Sequence, residues 1–234
     1  MKGLLLQYDD RSPRWAQKLI DRNKRAASQI NFDHIYLNES EFDAAIPPYW
    51  RKVFLVEKYF KTNIYSCIVW IDSDAVLVNE SEFLECITSE FSVAFSSNPG
   101  LLRREWWPLR TWAAPFCAGV FIVKNTAVSL EILEEWKSGF NPLLWKQDPI
   151  TKKWSGVGVY GGPSYEQGCF ELLIFRSPKF RKHLLQMVHW RLNYLPIHGE
   201  TCNSKTIFLH YWNGNRSRIL RDWGGNAEDF VNAL

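Results

Sequence analysis

Residues 66–79 read SCIVWIDSDAVLVN. The apolar run of residues 67–71 stops abruptly at Asp72, Ser73 and Asp74, and a second apolar run, residues 75–78, begins at once. A short continuous apolar run of this kind is typical of a fully buried strand. The two carboxylates therefore stand at the edge of a core, where they must be paired, hydrogen-bonded or bound to a cation.

Strand and helix patterns alternate on both sides of this stretch. An apolar run that ends in Asp9 and Asp10 predicts the first strand, and Asn79 is a suitable N-cap for a helix after the Asp pair. The predicted strands of the first half span residues 3–8, 32–37, 67–72 and 91–96, and the predicted helices span 12–28, 49–61 and 80–88. This alternation predicts an α/β fold with a mostly parallel central sheet and helices on both faces. Ligands of such sheets bind at the carboxyl ends of the strands, which is where the aspartates fall.

The second half of the chain has a less regular pattern. It predicts a strand at 116–124, a helix at 126–138, a long loop or hairpin at 139–163, a helix at 165–175 and a short strand at 206–209 that leads into His210. Residues 98–115 are a candidate lid, because long structured loops of compact domains are usually functional. The chain contains no evident repeat or linker, which favours a single domain over residues 1–234.

Composition and charge exclude several classes of function. The 234 residues carry a formal net charge of +3 with both signs mixed along the chain, which argues against a nucleic-acid partner. The five cysteines stand far apart without a CxxC pair and predict buried free thiols in a reducing compartment. The apolar start is too short for a signal peptide, and no run approaches the roughly 18 residues that span a bilayer. The sequence therefore predicts a soluble, cytoplasmic protein without a transmembrane segment.

Three interpretations compete for Asp72, Ser73 and Asp74. The first is a surface turn, for which Asp-Ser-Asp is suitable, although the flanking apolar runs argue against it. The second is a phosphatase of the haloacid dehalogenase type, in which Asp72 attacks phosphorus. That chemistry also needs an acidic pair downstream, whereas the adjacent aspartates Asp9 and Asp10 lie upstream. The third is a metal-dependent nucleotide-sugar transferase, in which the pair holds a divalent cation against the diphosphate of a sugar donor.

A metal site of this kind would need a third ligand from another part of the chain. His210 ends the apolar run 206–209 much as Asp72 ends its own run, and Mn²⁺ accepts imidazole as well as oxygen. A non-enzymatic alternative is a lectin-like sugar-binding module built on tryptophan platforms. Tryptophans that could line an acceptor site, or alternatively belong to the core, stand in irregular segments at Trp106, Trp107, Trp112, Trp145 and Trp154.

The order of the motifs carries a family resemblance. The series consists of residues 48–52 (PYWRK), 70–75 (WIDSDA) and 118–125 (AGVFIVKN), followed by Glu166, Gln167 and His210. It resembles the GT-A fold glycosyltransferases, most closely the fungal and plant galactosyl-, mannosyl- and xylosyltransferase group with a Trp-x-Asp-x-Asp-Ala core. The resemblance extends from the first strand to His210. It implies a single-domain GT-A fold with a nucleotide-binding part at about 1–97 and an acceptor-binding part at about 98–234.

The resemblance also implies a reaction and a set of site residues. A hexose or pentose would move from a nucleoside diphosphate sugar, with UDP as the expected nucleotide, to a hydroxyl of a glycan acceptor, with Mn²⁺ or Mg²⁺ as cofactor. Asp72, Asp74 and His210 match the metal ligands, and Glu166 and Gln167 match a catalytic pair facing the reacting sugar. The donor would be bound by Gln7, Tyr8, Asp9, Lys52, Asp72, Ser73, Gly119, Gly214 and Arg218, with Arg216 as a further candidate for the phosphates.

Glu166 leaves two chemistries open. In an inverting transferase a carboxylate deprotonates the attacking hydroxyl, whereas in a retaining enzyme the nearby group mainly stabilises an oxocarbenium-like state. A carboxylate in the first turn of a helix, favoured there by the helix dipole, would give the same sequence pattern without any catalytic role.

Overall fold

The computed structural model describes residues 2–9, 14–38, 46–97, 116–195, 203–212 and 216–223. The strands are β1 (Gly3–Tyr8), β2 (Phe32–Leu37), β3 (Cys67–Asp72), β4 (Ala75–Leu77), β5 (Val93–Ser97), β6 (Phe116–Lys124), β7 (Trp145–Gln147), β8 (Trp154–Gly156), β9 (Leu184–Met187) and β10 (Phe208–His210). The α-helices are α1 (Gln17–Gln29), α2 (Pro48–Phe60), α3 (Glu80–Thr88), α4 (Ala127–Ser138), α5 (Glu166–Phe170), α6 (Pro178–Arg181), α7 (His189–Leu192) and α8 (Ser217–Trp223). Turns of 3₁₀-helix occur at Arg14–Ala16 and Pro142–Leu144, and a π-helical turn follows α5 at Glu171–Phe175.

A six-stranded sheet forms the centre of the described structure, in the order β2-β1-β3-β6-β5-β9. Strand β1 pairs in parallel with β2 and β3, and β5 pairs in parallel with β9. Strand β6 runs antiparallel to both of its neighbours, β3 and β5. The sheet is therefore mostly parallel with one reversed strand, which confirms the predicted α/β fold class.

Successive side chains of the central strands pack on opposite faces of this sheet, as the pleat of a strand requires. Leu4 and Leu6 lie in one core together with side chains of α2 and α4, whereas Leu5 lies in a second core together with side chains of α1 and α3. The fully buried Trp50 of α2 and Trp136 of α4 belong to the first core. Because helices cover both faces, polar side chains that act on a ligand must come from the strand ends.

The predicted elements are largely confirmed, and the differences have local causes. Residues 139–163 contain a hairpin, one of the two predicted options, in which β7 pairs with β8. The helix predicted at 165–175 begins as α5 and widens into the π-helical turn Glu171–Phe175. The strand predicted at 206–209 is β10, Phe208–His210, because its pairing partner β4 has only three residues. The sequence did not predict β9, since four residues are too few to show a period.

The cysteine prediction is confirmed for Cys67, Cys86, Cys117 and Cys169, which are buried free thiols. Cys202, Asp10, the start of the helix predicted at 12–28 and the candidate lid at 98–115 lie outside the described residues. The division into a nucleotide-binding and an acceptor-binding part stays a prediction. No helix in the described part of the chain is both long and apolar enough to cross a bilayer.

A small second sheet joins the Asp72–Asp74 turn to β10. Strand β4 begins directly after Asp74 and pairs antiparallel with β10, so that Ala75 lies opposite His210. The backbone N–H of Tyr211 donates a further hydrogen bond of 2.9 Å to the carbonyl of Asp74. These backbone bonds hold His210 beside an aspartate that is 136 positions away in the sequence.

Asn23 of α1 supports β4 from the other side. The side chain is fully buried, its Nδ2 donates to the carbonyl of Ala75 at 3.0 Å, and its Oδ1 accepts from the N–H of Leu77 at 2.8 Å. Asparagine offers one donor and one acceptor in this geometry, so it satisfies two buried backbone groups at once.

Replacing Asn23 by leucine is expected to lower the free energy of unfolding by about 2–4 kcal/mol, because two buried backbone groups lose their partners. Urea denaturation followed by tryptophan fluorescence measures the change. Gln17→Ala, at an exposed position of the same helix, serves as the control and should stay within about 0.5 kcal/mol of the parent. Overlapping unfolding curves for Asn23→Leu and the parent would show that β4 does not depend on this side chain.

Candidate metal centre and active site

Three metal-binding side chains meet at the carboxyl end of β3. Asp72 is the last residue of β3, Asp74 lies in the turn before β4, and His210 is the last residue of β10. One ligand atom from each residue lies within 4.8 Å of the others. Asp74 and His210 are buried, and Asp72 is half-buried. The structure thus brings together the three residues that the sequence analysis named as metal ligands.

Asp74 and His210 form a buried charged pair. The Oδ1 atom of Asp74 lies 3.1 Å from Nε2 of His210, and its Oδ2 atom accepts a hydrogen bond of 2.8 Å from Nε of Arg216. Burial opposes ionisation of Asp74, but His210 and Arg216 outweigh it and hold the pKa of this carboxyl well below its usual range. Burial likewise opposes protonation of His210, but the hydrogen bond and charge of Asp74 raise its pKa to about 10. The negative charge of Asp74 is therefore balanced by a positive charge at Nε2 of His210, which is a proton when no metal ion is bound.

Asn193 determines which nitrogen of His210 faces the carboxylates. The Nδ2 atom of Asn193 donates to the hydroxyl of Ser96 at 2.7 Å and to the carbonyl of Val120 at 3.3 Å. A carbonyl only accepts, so the oxygen of Asn193 is the atom that faces Nδ1 of His210, at 2.9 Å. Nδ1 therefore carries a proton, and Nε2 is the nitrogen directed at the carboxylates. Histidines that ligate metals are commonly fixed in this way through their other ring nitrogen.

This donor set fits a divalent cation. Two carboxylates and one imidazole nitrogen are ligand types that divalent cations accept in proteins. The Nε2 proton balances a single negative charge, whereas a divalent ion would balance both Asp72 and Asp74. The hydrogen bond that Nδ1 of His210 donates to Oδ1 of Asn193 supplies the outer support that a ligating histidine needs.

Gly119 makes room for the imidazole of His210. A Cβ atom at position 119 would lie 1.9 Å from Cε1 and 2.4 Å from Nδ1 of that ring. Any side chain there would displace the histidine, so β6 requires glycine at this point for a steric reason. The sequence analysis placed Gly119 among the residues that would bind the donor, and the structure places it directly against the imidazole of His210.

Lys52 connects the cluster to Glu166. Its buried ammonium group donates to Oδ1 of Asp72 and to the carbonyl of Ala118, each at 3.0 Å, and lies 3.8 Å from Oε1 of Glu166. Burial opposes the charge of Lys52, but Asp72 and Glu166 outweigh it and raise its pKa. The indole N–H of Trp70 donates a second hydrogen bond to Oδ1 of Asp72, at 2.7 Å. Oδ1 is thereby fixed, and Oδ2 lies 4.0 Å from Nε2 of His210.

Glu166 is a buried carboxyl group with one oxygen that lacks a partner. The residue is 2% exposed, and its Oε2 has no hydrogen-bond partner among the described residues. Burial raises the pKa of Glu166 to about 7, although the charge of Lys52 acts in the opposite direction. A carboxyl group with such a pKa can accept or release a proton near neutral pH.

Gln167 follows Glu166 in the first turn of α5. Its Oε1 accepts a hydrogen bond of 3.1 Å from the backbone N–H of Ala118 in β6. The backbone of Ala118 therefore supports both residues. Its N–H binds Gln167 directly, and its carbonyl binds Lys52, whose ammonium group lies near Glu166. Both candidate catalytic residues are thus positioned by the reversed strand of the sheet.

The residues predicted to bind the nucleotide lie at the end of β1. Gln7 is fully buried, and its amide nitrogen donates to the backbone carbonyl of Asp72 at 3.3 Å while its oxygen lies 2.8 Å from Nε2 of His34. Gln7 therefore links the end of β1 to the middle of β2 and to the end of β3. This side chain positions the strand ends and presents no exposed surface to a ligand.

The two residues after Gln7 also have partners within the site. The hydroxyl of Tyr8 accepts a hydrogen bond from the guanidinium of Arg51, and Ser73 donates one to Oδ2 of Asp9. The second bond ties the end of β1 to the turn between the two aspartates of the cluster. The geometry of that turn therefore depends on Asp9 and Ser73 together.

Arg216, one of the basic residues that follow His210, forms an ion pair with Asp74 of the cluster. Besides its bond to Asp74, its guanidinium lies over the ring of Trp15 at 5.3 Å. Arg218 is half-buried in α8, and Gly214 lies outside the described residues.

Sequence reasoning missed Asn193 and the part that Trp70 plays. No local motif marks Asn193, because its three partners come from three other segments of the chain. Trp70 belonged to the quoted motif, but a sequence does not show that its N–H reaches the carboxylate two positions later. Of the tryptophans considered as platforms, Trp145 is only 6% exposed and belongs to the core. The half-buried one is Trp154, and those outside the described residues are Trp106, Trp107 and Trp112.

Comparisons with known proteins bear on the fold and on the reaction class. No family model matches the sequence. A curated relative, "Glycosyltransferase 6" of Arabidopsis thaliana, is 21% identical over 215 residues, which cover 90% of this chain and 44% of that protein. The chain thus spans less than half the length of this relative.

Solved structures resemble the whole described fold. A glycosyltransferase involved in the glycosylation of the major capsid of PBCV-1 has a TM-score of 0.64 at 14% identity, covering 95% of this chain and 98% of that one. The apo structure of the bifunctional glycosyltransferase WbbM has a TM-score of 0.54 at 11% identity, covering 98% of this chain and 50% of that one. These likenesses show that the chain has the GT-A glycosyltransferase fold, as predicted.

Replacing Asn193 by alanine is expected to weaken Mn²⁺ binding by about 10- to 100-fold, because the Nδ1 proton of His210 loses its acceptor and the ring loses its fixed orientation. Titration calorimetry with Mn²⁺ alone measures the affinity, and circular dichroism checks the fold.

Ser96→Ala is the matched control for this experiment. It removes one partner of Asn193 but leaves the carbonyl of Val120 to fix the amide, so a much smaller loss is expected. Equal losses in both variants would show that local packing, and not the orientation of His210, sets the metal affinity.

Replacing Glu166 by glutamine is expected to stabilise the metal-free protein above neutral pH. The pKa of Glu166 is raised from 4.5 to about 7 on folding, so the parent loses stability as the pH rises through this window. The loss amounts to about 3 kcal/mol, from 1.36 kcal/mol per pKa unit. Urea denaturation at pH 5 and pH 8 in the presence of a chelator measures it, and the variant should lack this part of the pH dependence. Parallel pH dependences of the parent and Glu166→Gln would contradict the prediction.

Proposed function

We propose that the protein is a metal-dependent glycosyltransferase that moves a sugar from a nucleoside diphosphate sugar to a hydroxyl group of a glycan acceptor. The observation that carries this proposal is the convergence of Asp72, Asp74 and His210 at the carboxyl edge of a sheet with a glycosyltransferase fold. The curated relative supports the same class of reaction. In keeping with the sequence resemblance, the transferred sugar is proposed to be a hexose or pentose of the galactosyl, mannosyl or xylosyl type.

The metal ion is proposed to be held by Asp72, Asp74 and Nε2 of His210. When bound, it would act as a Lewis acid that neutralises the charge developing on the departing diphosphate. The imidazole favours Mn²⁺ over Mg²⁺, since Mg²⁺ prefers oxygen ligands. The role of Asn193 is to keep Nε2 directed at this position.

The donor is proposed to be UDP-linked and to lie across the ends of β1 and β3. Arg216 is well suited to the diphosphate, because a guanidinium binds phosphate oxygens through paired hydrogen bonds and this one already stands at the cluster. Tyr8 and Asp9 would border the nucleotide, together with Ser73 of the turn. Gly214 and Arg218 stay proposals for the phosphate end of the same pocket.

Glu166 and Gln167 are proposed to act on the acceptor side. The unpaired Oε2 of Glu166 is suited to accept a hydrogen bond from a sugar hydroxyl, and its pKa of about 7 allows a proton to move to it near neutral pH. Lys52 holds the other oxygen of this carboxyl group and Oδ1 of Asp72 in one arrangement. Donor and acceptor are thereby brought to adjacent positions.

The phosphatase interpretation is less well supported by these contacts. A nucleophilic Asp72 would need a free oxygen, whereas Oδ1 is bonded to Lys52 and Trp70 and Oδ2 faces His210. A lectin-like module, in turn, would not need a buried cluster of two carboxylates, an imidazole and the unpaired oxygen of Glu166. Metal-dependent transfer is the function that uses all of these groups.

Replacing Asp74 by asparagine is expected to weaken Mn²⁺-dependent binding of UDP at least about 100-fold, because a central charged ligand is lost. Calorimetry with UDP and Mn²⁺ measures the affinity. Thermal shifts with UDP-, GDP- and dTDP-sugars, with and without Mn²⁺, identify the donor, since a ligand that binds only the folded form raises the melting temperature.

Asp21→Asn makes the same chemical change at an exposed site and is expected to bind UDP like the parent. Unaltered affinity in Asp74→Asn, or a parent protein that binds no nucleotide with Mn²⁺, would refute the proposed function.

A further inference from the structure

Apolar side chains are exposed on the loop that follows β8. Val157 is 58% exposed, Val159 is 60% exposed and Tyr160 is 67% exposed, within four consecutive positions of the chain. Single exposed apolar residues are common on protein surfaces, but adjacent ones that include an aromatic ring more often mark a binding site.

The ring of Tyr160 is supported from behind by two other tyrosines. Its centroid lies 5.8 Å from that of Tyr49 and 5.2 Å from that of Tyr165, with interplanar angles of 69° and 64°. Tyr165 in turn packs edge-on against the buried Trp145. Edge-to-face contacts of this kind hold an aromatic ring in one orientation.

The loop is also held in a defined conformation. Gly158 and Gly161 have φ angles of +91° and +73°, which favour glycine, and the N–H of Gly162 donates to the carbonyl of Val159 at 2.9 Å. The indole N–H of Trp50 donates to the carbonyl of Ser164 at 3.0 Å and so anchors the loop to α2. The turn that carries Tyr160 is therefore held in one conformation by hydrogen bonds.

This turn lies against the start of α5, where Glu166 and Gln167 stand. A Cβ atom on Gly168 would lie 2.2 Å from the carbonyl oxygen of Gly162, and one on Gly161 would lie 3.7 Å from Nε2 of Gln167. Tyr165, whose ring packs against that of Tyr160, directly precedes Glu166 in the chain and so ties the exposed ring to the same end of α5. The loop that carries the exposed ring is thus packed against the turn of α5 that contains Glu166 and its unpaired oxygen.

We propose that Tyr160, flanked by Val157 and Val159, is the stacking platform for a pyranose ring of the acceptor glycan. The inference rests on the proposed function and specifies its acceptor side. A pyranose presents an apolar C–H face and an edge of hydroxyl groups, and the structure offers an exposed aromatic ring on a turn that packs against the helix carrying a carboxylate oxygen without a partner. A wholly apolar ligand would cover the ring but leave that buried oxygen unpaired, which is unfavourable. The aromatic platform that the sequence predicted from tryptophans is thereby assigned to a tyrosine.

The experiment uses saturation-transfer NMR with the methyl glycosides of galactose, mannose, glucose and xylose, in the presence of UDP and Mn²⁺. At least one glycoside is expected to bind the parent, with the strongest transfer to the C–H hydrogens of one ring face. Tyr160→Ala is expected to weaken its binding about five- to tenfold, whereas Tyr160→Phe should retain it, because the ring provides the contact.

Leu143→Ala and Ile150→Ala are matched controls, since both residues are exposed apolar side chains nearby in the chain, Leu143 in the 3₁₀ turn before β7 and Ile150 between β7 and β8, at 86% and 88% exposure. They are expected to bind the glycoside like the parent. Equal binding by Tyr160→Ala and the parent, a loss in the controls as large as in Tyr160→Ala, or a parent that binds none of the four glycosides would overturn the inference. UDP affinity measured on the same samples separates this result from a failure of the proposed function, in which the parent would not bind UDP with Mn²⁺ at all.

Discussion

The crowding of negative charge at the carboxyl end of β3 is the constraint on which the site depends. Asp74 and Glu166 are buried there beside the half-buried Asp72, and unbalanced charge in buried surroundings costs several kcal/mol per ion. Lys52, Arg216 and His210 provide the balancing charges. A divalent ion and a diphosphate bring charges of opposite sign, so they disturb this balance least when they enter together. The proposed chemistry therefore couples metal affinity to nucleotide affinity.

The candidate site contains a residue that lowers the free energy of unfolding. Glu166 keeps one buried oxygen without a partner among the described residues, and its raised pKa means that ionisation costs folding free energy. A residue selected only for packing would be apolar at this position. Departures of this kind from a fully satisfied core are typical of functional sites, where a ligand supplies the missing partner.

Local patterns in the sequence were sufficient for most strands, for the longer helices and for the position of the carboxylates, because apolar periodicity and strand ends are properties of consecutive residues. They also suggested His210, which ends an apolar run. They could not reveal Asn193, whose role depends on contacts with Ser96, Val120 and His210. Nor could they show that Gly119 accommodates an imidazole, since this requires the distance between β6 and β10. Sequence thus predicts where polar groups end a strand, whereas their partners depend on tertiary structure.

Lys52 holds Asp72 and Glu166 in fixed positions relative to each other. A lysine ammonium has three N–H donors, and here they face Asp72, the carbonyl of Ala118 and Glu166 at 3.0, 3.0 and 3.8 Å. Arginine has N–H donors in a fixed planar arrangement, so it could not reach three groups that surround a single point. Asp72 and Glu166, which we propose to face the donor and the acceptor, therefore share one cation, so that the position of each carboxylate is linked to that of the other.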